Sequence, residues 1–215
     1  MTKKDVEIFV DDNEKYIQIN DVDIADIEKV WEQLQTSYPG FVADFCFHNT
    51  PAPEKFLLAA GAELLDNCEE MRLSSKDFVD LPMASGGDVT PVTTENFADF
   101  AAYHDRACPD MYWSSRRLLS DFAAWDIFTM QRQGEISGYV IMRGKTEIYC
   151  VQTDSLDDKT ALINMAAKAA FAAQDEGTDT DILFMVDRDN FTEVGAAMHL
   201  GFRRTGYYVA YRAKV

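Results

Sequence analysis

Residues 182–202 read ILFMVDRDNFTEVGAAMHLGF, and this stretch carries the most specific pattern in the chain. Its opening apolar run is typical of a buried strand. Asn190 stands where a helix is expected to begin, because Asn is a favoured N-cap residue. Gly201 stands where that helix is expected to end, because glycine commonly follows the last helical turn. The stretch therefore predicts a strand, a short helix and a further strand that begins at Phe202.

The residues before this stretch predict a sheet and a long helix. Residues 125–153 contain three β-rich runs, which are separated at Gln133–Gly134–Glu135 and at Gly144–Lys145. Both separators are typical of hairpin turns, so the three runs predict an antiparallel meander. The segment from Asp157 to about Gln174 is rich in alanine, the strongest helix former, and predicts a helix.

Residues 88–124 are expected to supply one strand and two helices. The strand is expected around Val89–Val92. Thr94 is expected to cap a helix over residues 95–107, whose apolar residues fall on one face. The second helix is expected over residues 115–124.

The end of the chain, residues 203–215, is interpreted as a closing hairpin that turns at Thr205–Gly206. From residue 88 onward, helices and strands then alternate around a mixed, partly antiparallel sheet. This order places the region in the α/β class, with an α+β mixed sheet.

The N-terminal part of the chain, residues 1–80, is predicted to be a separate half-domain. Residues 81–87, which include a proline and a Gly–Gly pair, are the predicted linker to a second domain over residues 88–215. Residues 41–73 repeat the order found in residues 181–213, which is an apolar strand, an Asn, a short helix, a Gly and a closing strand. The half-domain is therefore interpreted as a truncated copy of the second domain, with chance similarity of two strand–helix–strand units as the alternative.

Two further elements are expected in the half-domain. Its first residues contain two β-rich runs that predict a hairpin, and Asp23 to about Leu34 predicts an amphipathic helix.

The composition limits the partners of the protein. Its formal net charge is −17, with 37 acidic residues against 20 basic ones. Such a surface repels nucleic-acid phosphates and anionic membranes, so neither is an expected partner. An acidic field favours a cationic substrate such as an amine, although it also simply aids solubility. Because no apolar run is long enough to cross a bilayer and no secretory signal is present, we expect a soluble, cytoplasmic protein.

The four cysteines and three histidines show no metal-ligand spacing, so no metal site is expected. In a cytoplasmic chain the cysteines are interpreted as buried thiols. Cys150 lies in a predicted strand close to the region discussed next, so a reactive role is its alternative.

Residues 88–215 resemble the GCN5-related N-acetyltransferase (GNAT) family. The resemblance rests on Asn190, on Gly201–Phe202 eleven residues later, and on the meander before them. It implies a GNAT-like acyl-CoA N-acyltransferase fold, acetyl-CoA as co-substrate and no metal. It also implies direct attack by the amine of a small molecule or peptide on the thioester. In the family this Asn contacts the pantetheine arm, so Asn190 is either a helix cap alone or a cap that also contacts the ligand.

The resemblance implies two further contacts with the cofactor. The pantetheine is expected along the strand that contains Tyr149, Cys150, Val151 and Thr153. Helix N-termini bind anions, so the pyrophosphate is expected at the start of the following helix. The family's Q/R-x-x-G-x-G/A loop falls on residues 156–161.

This loop departs from the family pattern. Leu156 replaces the Arg or Gln, Lys159 replaces the first Gly, and only Ala161 matches. Lys159, Thr160 and Ala161 are the expected phosphate contacts. Asp157 and Asp158 are expected to oppose the pyrophosphate, although their ordinary role is to favour the helix dipole.

The resemblance also implies the catalytic and acceptor residues. The family's usual Tyr, seven residues after the Asn, is Ala197 here. Glu147 is the candidate general base and Tyr207 the candidate acid, with Tyr208 and His199 as alternatives to Tyr207.

An aromatic and basic cluster lies where family members build the acceptor pocket. Tyr112, Trp113 and Arg116 are the candidate acceptor residues, next to Arg117. The cluster fits an acidic or aromatic group, in conflict with the cationic substrate that the net charge favours. Because the loop glycine and the Tyr are missing, a catalytically inactive GNAT-like binding or regulatory module is the alternative function. A homodimer is possible.

Overall fold

The computed structural model describes residues 7–82, 86–109, 111–174 and 180–215. By compactness the chain divides into two units. Unit 1 comprises residues 1–70 and 206–215, and unit 2 comprises residues 71–205. The division that the sequence predicts, into 1–80, 81–87 and 88–215, stays a prediction, and residues 83–85 of the predicted linker lie outside the described residues.

Unit 1 is a sheet with two helices. Its elements in chain order are β1 (Glu7–Asp11), β2 (Tyr16–Asn20), α1 (Ile27–Ser37), β3 (Val42–His48), α2 (Glu54–Ala59), β4 (Glu63–Leu73, to residue 70) and β10 (Arg203–Lys214, from residue 206). The strand order is β1-β2-β3-β10-β4. β1 and β2 form the predicted antiparallel hairpin, β2 and β3 are parallel, and β3 and β10 are antiparallel.

The core of unit 1 lies between this sheet and α1. Trp31 and Leu34 of α1 are buried together with Phe45 and Phe47 of β3. Asp44 on the same strand is also buried, and its carboxylate accepts two hydrogen bonds from Arg212 and one from Tyr16. A buried carboxylate is tolerated here because a cation and a hydroxyl satisfy both of its oxygens.

Unit 2 carries the predicted meander. Its elements are β5 (Asp88–Pro91), α3 (Phe97–Ala107), α4 (Ser115–Ser120), a 3₁₀ turn (Phe122–Ala124), β6 (Trp125–Arg132), β7 (Glu135–Arg143), β8 (Glu147–Gln152), α5 (Leu156–Ala172), β9 (Ile182–Asp187) and α6 (Phe191–His199). Strands β5 to β8 are antiparallel neighbours, and β9 lies parallel to β8. Helix α5 packs on this sheet and buries mainly alanines, leucine and isoleucine.

Two hairpin turns fix the meander, as the sequence predicts. Gln133 and Gly134 have φ angles of 54° and 84°, and Gly144 and Lys145 have φ angles of 55° and 60°. Two consecutive left-handed residues form the two-residue turn whose twist matches the flanking strands.

The predicted closing hairpin is wrong. Residues 203–214 form one continuous strand, β10. The glycine at 206 does not turn the chain, but allows a close approach, because a Cβ there would overlap the side chain of Asn49. Asn49 Oδ1 accepts a hydrogen bond from the Tyr207 amide, which holds this part of the strand in place.

The predicted cap of α3 is also wrong. The N-cap position is Asn96 rather than Thr94, and the Asn96 side chain accepts from the amide of Thr93 and donates to the carbonyl of Pro91. The second predicted helix, residues 115–124, is split into α4 and the 3₁₀ turn.

Candidate active site

A β-bulge interrupts β8. Ile141 of β7 pairs with Cys150, whereas Met142 pairs with Ile148, so the register shifts and Tyr149 is the extra residue of the bulge. Bulges bend a strand and redirect its side chains. The sequence places Tyr149 on this strand but does not show the bulge.

Strands β8 and β9 part at the same point. In their parallel register, Glu147 pairs with Leu183 and Ile148 pairs with Phe184. Within the described residues the pairing extends no further. The β9-facing edge of residues 150–152 therefore has backbone groups that β9 does not pair. The divergence opens a wedge between two parallel strands, directly before the helix α5.

The N-terminus of α5 closes one end of this wedge. Ser155 is the N-cap, and its hydroxyl oxygen accepts from the Asp158 amide at 3.3 Å. The Asp158 carboxylate is 2% exposed and accepts from Arg132 Nη2 at 2.6 Å and Nε at 3.1 Å. Its charge is therefore balanced locally, and of the two aspartates expected to oppose a phosphate only Asp157 is exposed.

This arrangement gives a test of the two neighbouring aspartates. We expect Asp158→Ala to lower the melting temperature clearly, because it removes the acceptor of two charge-assisted hydrogen bonds from a buried position. Asp157→Ala is the matched control and should leave the melting temperature within a degree or so of the wild type, as exposed substitutions usually do. Equal melting temperatures for the two variants, measured by calorimetry, would contradict this account.

The N-terminus of α6 lies on the other side of the wedge. Asn190 caps it, since Oδ1 accepts from the Glu193 amide at 3.1 Å and Nδ2 donates to Glu193 Oε2 at 2.8 Å. Lys159 Nζ of α5 lies 3.8 Å from Glu193 Oε1, and both side chains are 11% exposed. Burial raises the pKa of Glu193, and the charge of Lys159 opposes the rise.

Two predicted cofactor residues, Lys159 and Asn190, are thus brought together by Glu193. Glu193 was not among the residues predicted for the site, although its position three residues after an N-cap Asn is the spacing of a capping box. Both polar atoms of the Asn190 side chain form hydrogen bonds with Glu193 in the first turn of α6. These bonds explain an Asn at this position by its role as a helix cap.

A groove of about 620 Å³ runs between α5 and α6. Thr160 and Ala161 line it on α5, and Phe191 and Gly195 line it on α6. Phe191 is 76% exposed, which is unusual for a phenylalanine on a folded surface. The groove begins beside the α5 N-terminus, where Leu156 and Asp157 line it.

Known proteins resemble this chain in structure and not in sequence. No protein-family model matches the chain, and no curated protein matches its sequence. Solved structures do match. A functionally unknown conserved protein from Staphylococcus epidermidis ATCC 12228 aligns over 99% of this chain and 93% of its own, with a TM-score of 0.72 and 14% identity. A GCN5-related N-acetyltransferase from Sphaerobacter thermophilus aligns over 97% of this chain and 76% of its own, with a TM-score of 0.66 and 11% identity.

A third match extends the same comparison. A tandem GNAT protein from the clavulanic acid biosynthesis pathway aligns over 97% of this chain and 78% of its own, with a TM-score of 0.55 and 12% identity. The fold is the GNAT fold. At these identities the comparison concerns the fold alone.

Within this GNAT fold, the predicted cofactor residues of β8 and of the turn that follows it differ in exposure. Val151 and Thr153 are each 7% exposed, whereas Tyr149 and Cys150 are partly exposed. The Thr153 hydroxyl accepts from the Ser155 amide and so shapes the turn into α5. These residues line one edge of the wedge, and their contact with a cofactor stays a prediction.

The predicted catalytic residues lie in different units. Glu147 is the first residue of β8, partly exposed, and pairs with Arg143 and Leu183 at the end where the strands are still together. Tyr207 belongs to unit 1, where its backbone exchanges two hydrogen bonds with Asn49. Their catalytic roles stay predictions.

The predicted acceptor residues form part of an aromatic cluster. The guanidinium of Arg117 lies 3.7 Å from the ring centroid of Tyr112, and that of Arg143 lies 5.3 Å from Trp113. Trp113 also contacts Trp125, with ring centroids 4.9 Å apart. The arginines over these rings are therefore Arg117 and Arg143, and the role of the exposed Arg116 stays a prediction.

Among the described residues, no group of three or more histidine, cysteine or acidic side chains is placed to hold a metal ion. In the same part of the chain no helix is long and apolar enough to cross a membrane.

Proposed function

We propose that the protein is an N-acetyltransferase, which transfers the acetyl group of acetyl-CoA to the amine of a small molecule or peptide by direct attack. The observation that carries this proposal is the parting of β8 and β9 directly after the bulge at Tyr149. An extended edge with unpaired backbone groups suits the amides of a pantetheine arm, which is a β-strand-like ligand. The net charge of −17 supports a cationic amine as acceptor, because an acidic field attracts it.

The pyrophosphate in this proposal lies at the N-terminus of α5. The first amides of a helix have no partner within it, and the helix dipole favours anions there. Ser155 already occupies the Asp158 amide, so the helix offers fewer donors than its geometry allows. Lys159 is the nearby cation, but it is paired with Glu193 and largely buried.

Acetyl-CoA binding is therefore expected to compete with the Lys159–Glu193 ion pair. For Lys159 to contact a phosphate it must leave Glu193, and the buried carboxylate would then lose its cation and keep only the hydrogen bond from Asn190. Removing the charge of Glu193 should release Lys159 without removing the cap, because a glutamine oxygen still accepts from Asn190.

Calorimetry with acetyl-CoA tests this expectation. Glu193→Gln is expected to bind acetyl-CoA about 5- to 10-fold more tightly than wild type, which corresponds to about 1–1.4 kcal/mol. Lys159→Met is expected to bind it more weakly. Asp99→Asn, which removes an exposed carboxylate from α3, is the charge-matched control and should leave the affinity unchanged. No binding of acetyl-CoA at millimolar concentration by any of these proteins would sink the proposal.

A catalytically inactive GNAT-like binding or regulatory module is the second candidate. It is favoured by the phosphate loop, where Lys159 replaces the family's glycine and is held by Glu193. Ala197, where the family has its Tyr, is fully buried and offers no acid. Binding of acetyl-CoA followed by release of CoA in the presence of an amine panel would exclude this candidate.

We also propose that residues 1–80 derive from a truncated GNAT-like copy. The support is that α2 and α6 end in the same way. Gly61 and Gly201 have φ angles of 86° and 100°, and each is followed by an amide that bonds back across the last turn, from Ala62 to Leu57 and from Phe202 to Ala197. A solved structure in which β3–α2–β4 and β9–α6–β10 do not superpose would contradict this proposal.

A further inference from the structure

Two cysteines of unit 2 share one hydroxyl group. Cys108 follows the last residue of α3, and Cys150 lies on β8 directly after the bulge. Tyr139 Oη lies 3.4 Å from Cys108 Sγ and 3.9 Å from Cys150 Sγ. The two thiols are also close enough for each to shift the pKa of the other. Both cysteines are partly exposed, in contrast to the buried Cys46 and Cys68 and to the expectation of four buried thiols.

A histidine lies behind the hydroxyl group. His104 is fully buried, and its Nε2 is 2.9 Å from the carbonyl oxygen of Trp113. A carbonyl only accepts, so Nε2 carries a proton in both charge states of the ring. Nδ1, 2.8 Å from Tyr139 Oη, accepts the hydroxyl proton when the ring is neutral and donates to the hydroxyl oxygen when the ring is charged.

Tyr139 thus connects the buried histidine to one of the two thiols. His104, the Tyr139 hydroxyl and the Cys108 thiol form a row of polar groups that joins α3 to β7. The Cys108 thiol also lies 3.9 Å from Gln152 Oε1.

The two thiols are also electrostatically unequal. The hydrogen bond from the Cys150 thiol lowers the pKa of Cys108 to about 6, against the opposing effect of burial, and the Tyr139 hydroxyl acts in the same direction as Cys150. The same thiol–thiol bond raises the pKa of Cys150 well above its usual value, and burial adds to the rise. Burial raises the pKa of Cys46 to about 12. Cys108 is therefore the nucleophilic thiol, because only the thiolate form attacks.

We propose that Cys108 and Cys150 form a redox-active dithiol that reacts with hydroperoxides and closes to a disulfide. The Cys108 thiolate attacks the terminal oxygen of the hydroperoxide, the O–O bond breaks, and the departing alkoxide takes a proton to form an alcohol. Cys108 becomes a sulfenic acid, oxidised by two electrons, and the peroxide is reduced by two. The Cys150 sulfur then attacks the Cys108 sulfur, which forms the disulfide and releases water.

The geometry suits both steps. Cys108 is partly exposed at the end of a helix, so a small hydroperoxide can reach it. The resolving thiol is close by, because both sulfur atoms lie within 4 Å of the same Tyr139 oxygen. No part of this chemistry requires acetyl-CoA.

Peptide mapping of the full-length protein tests the proposal, because trypsin places the four cysteines in different peptides. Cys46 falls in residues 30–55, Cys68 in 56–72, Cys108 in 107–116 and Cys150 in 146–159. After treatment of the reduced protein with one equivalent of tert-butyl hydroperoxide, without any acyl donor, we expect 107–116 to be linked to 146–159. The link should disappear on reduction.

Three variants separate the two steps. Cys150→Ser should stop at the sulfenic acid, which a 1,3-dione reagent traps on peptide 107–116, and Cys108→Ser should abolish the reaction. Cys68→Ser is the matched control and should still form the link. In wild type, alkylation of Cys108 by iodoacetamide should reach half its maximal rate near pH 6.

Several outcomes would overturn the proposal. They are a reaction confined to Cys46 or Cys68, oxidation of Cys108 to sulfinic acid without a link to Cys150, and no change on treatment. The wild-type peptide map decides the matter even where a variant fails to fold. Because the assay contains no acetyl-CoA, a negative result leaves the proposed acetyltransferase activity standing, and the reverse also holds.

Discussion

Gly201→Ala is expected to lower the free energy of unfolding by about 2–5 kcal/mol. Gly201 has a φ angle of 100°, where an alanine costs about 1–2 kcal/mol more than a glycine. A Cβ at this position would also overlap the backbone carbonyl of Asp77, so that segment must move, at a cost of about 1–3 kcal/mol. The segment is held on the end of α6 by a hydrogen bond from the Val79 amide to the Leu200 carbonyl, so it cannot move freely.

Gly195→Ala is the control for this substitution. Gly195 lies inside α6, and among the described residues no atom outside the adjoining part of the helix lies within 4 Å of the position of an added Cβ. Alanine is the better helix former, so this change is expected to raise the free energy of unfolding by about 0.5–1 kcal/mol. Urea unfolding of both variants measures the two effects. The same sign for both would contradict both the left-handed backbone and the close approach at Gly201.

The second large effect is expected for Tyr139→Phe. Tyr139 is fully buried, and its hydroxyl is the hydrogen-bond partner of His104 Nδ1. The variant loses that bond, worth about 1 kcal/mol, and leaves a buried imidazole nitrogen unpaired, at about 1–3 kcal/mol. We therefore expect unfolding to become easier by about 2–4 kcal/mol. The pKa of Cys108 should also rise, because one hydrogen bond to the thiolate is lost.

Tyr103→Phe provides the comparison. Tyr103 contacts the ring of Tyr139, but its own side chain is partly exposed. Loss of its hydroxyl is expected to change stability by less than about 0.5 kcal/mol and to leave the alkylation of Cys108 unchanged. The two variants could instead have equal effects on stability and on the pH profile of alkylation. That result would refute the hydrogen bonds that join His104, Tyr139 and Cys108.

The parts of the fold that depend on local sequence were predictable. The turns at Gln133–Gly134 and Gly144–Lys145 and the end of α6 at Gly201 follow from the need for left-handed residues at those points. The prediction of a hairpin at Thr205–Gly206 was wrong because a glycine does not only form turns, but can also lie within a strand. It admits a neighbouring side chain, here that of Asn49, and this neighbour is distant in sequence.

The site was predictable in its elements and not in its contacts. The sequence indicates β8, the N-terminus of α5 and Asn190, but not that Lys159 is paired with Glu193 or Asp158 with Arg132. These pairs join different elements, and their partners follow only from tertiary packing. The row from Cys108 to His104 was hidden for the same reason, since it joins α3 to the middle of the meander.

The extra residue at Tyr149 also indicates how the chain can change in length. Loss of that one residue would bring Ile148 and Cys150 together opposite Met142 and Ile141, and every other pair of β7 and β8 would keep its register. Buried residues would still alternate with partly exposed ones up to α5, but the bend that the bulge gives the strand would be lost. A homologue that lacks residue 149 is therefore expected to keep the sheet and to lose this bend.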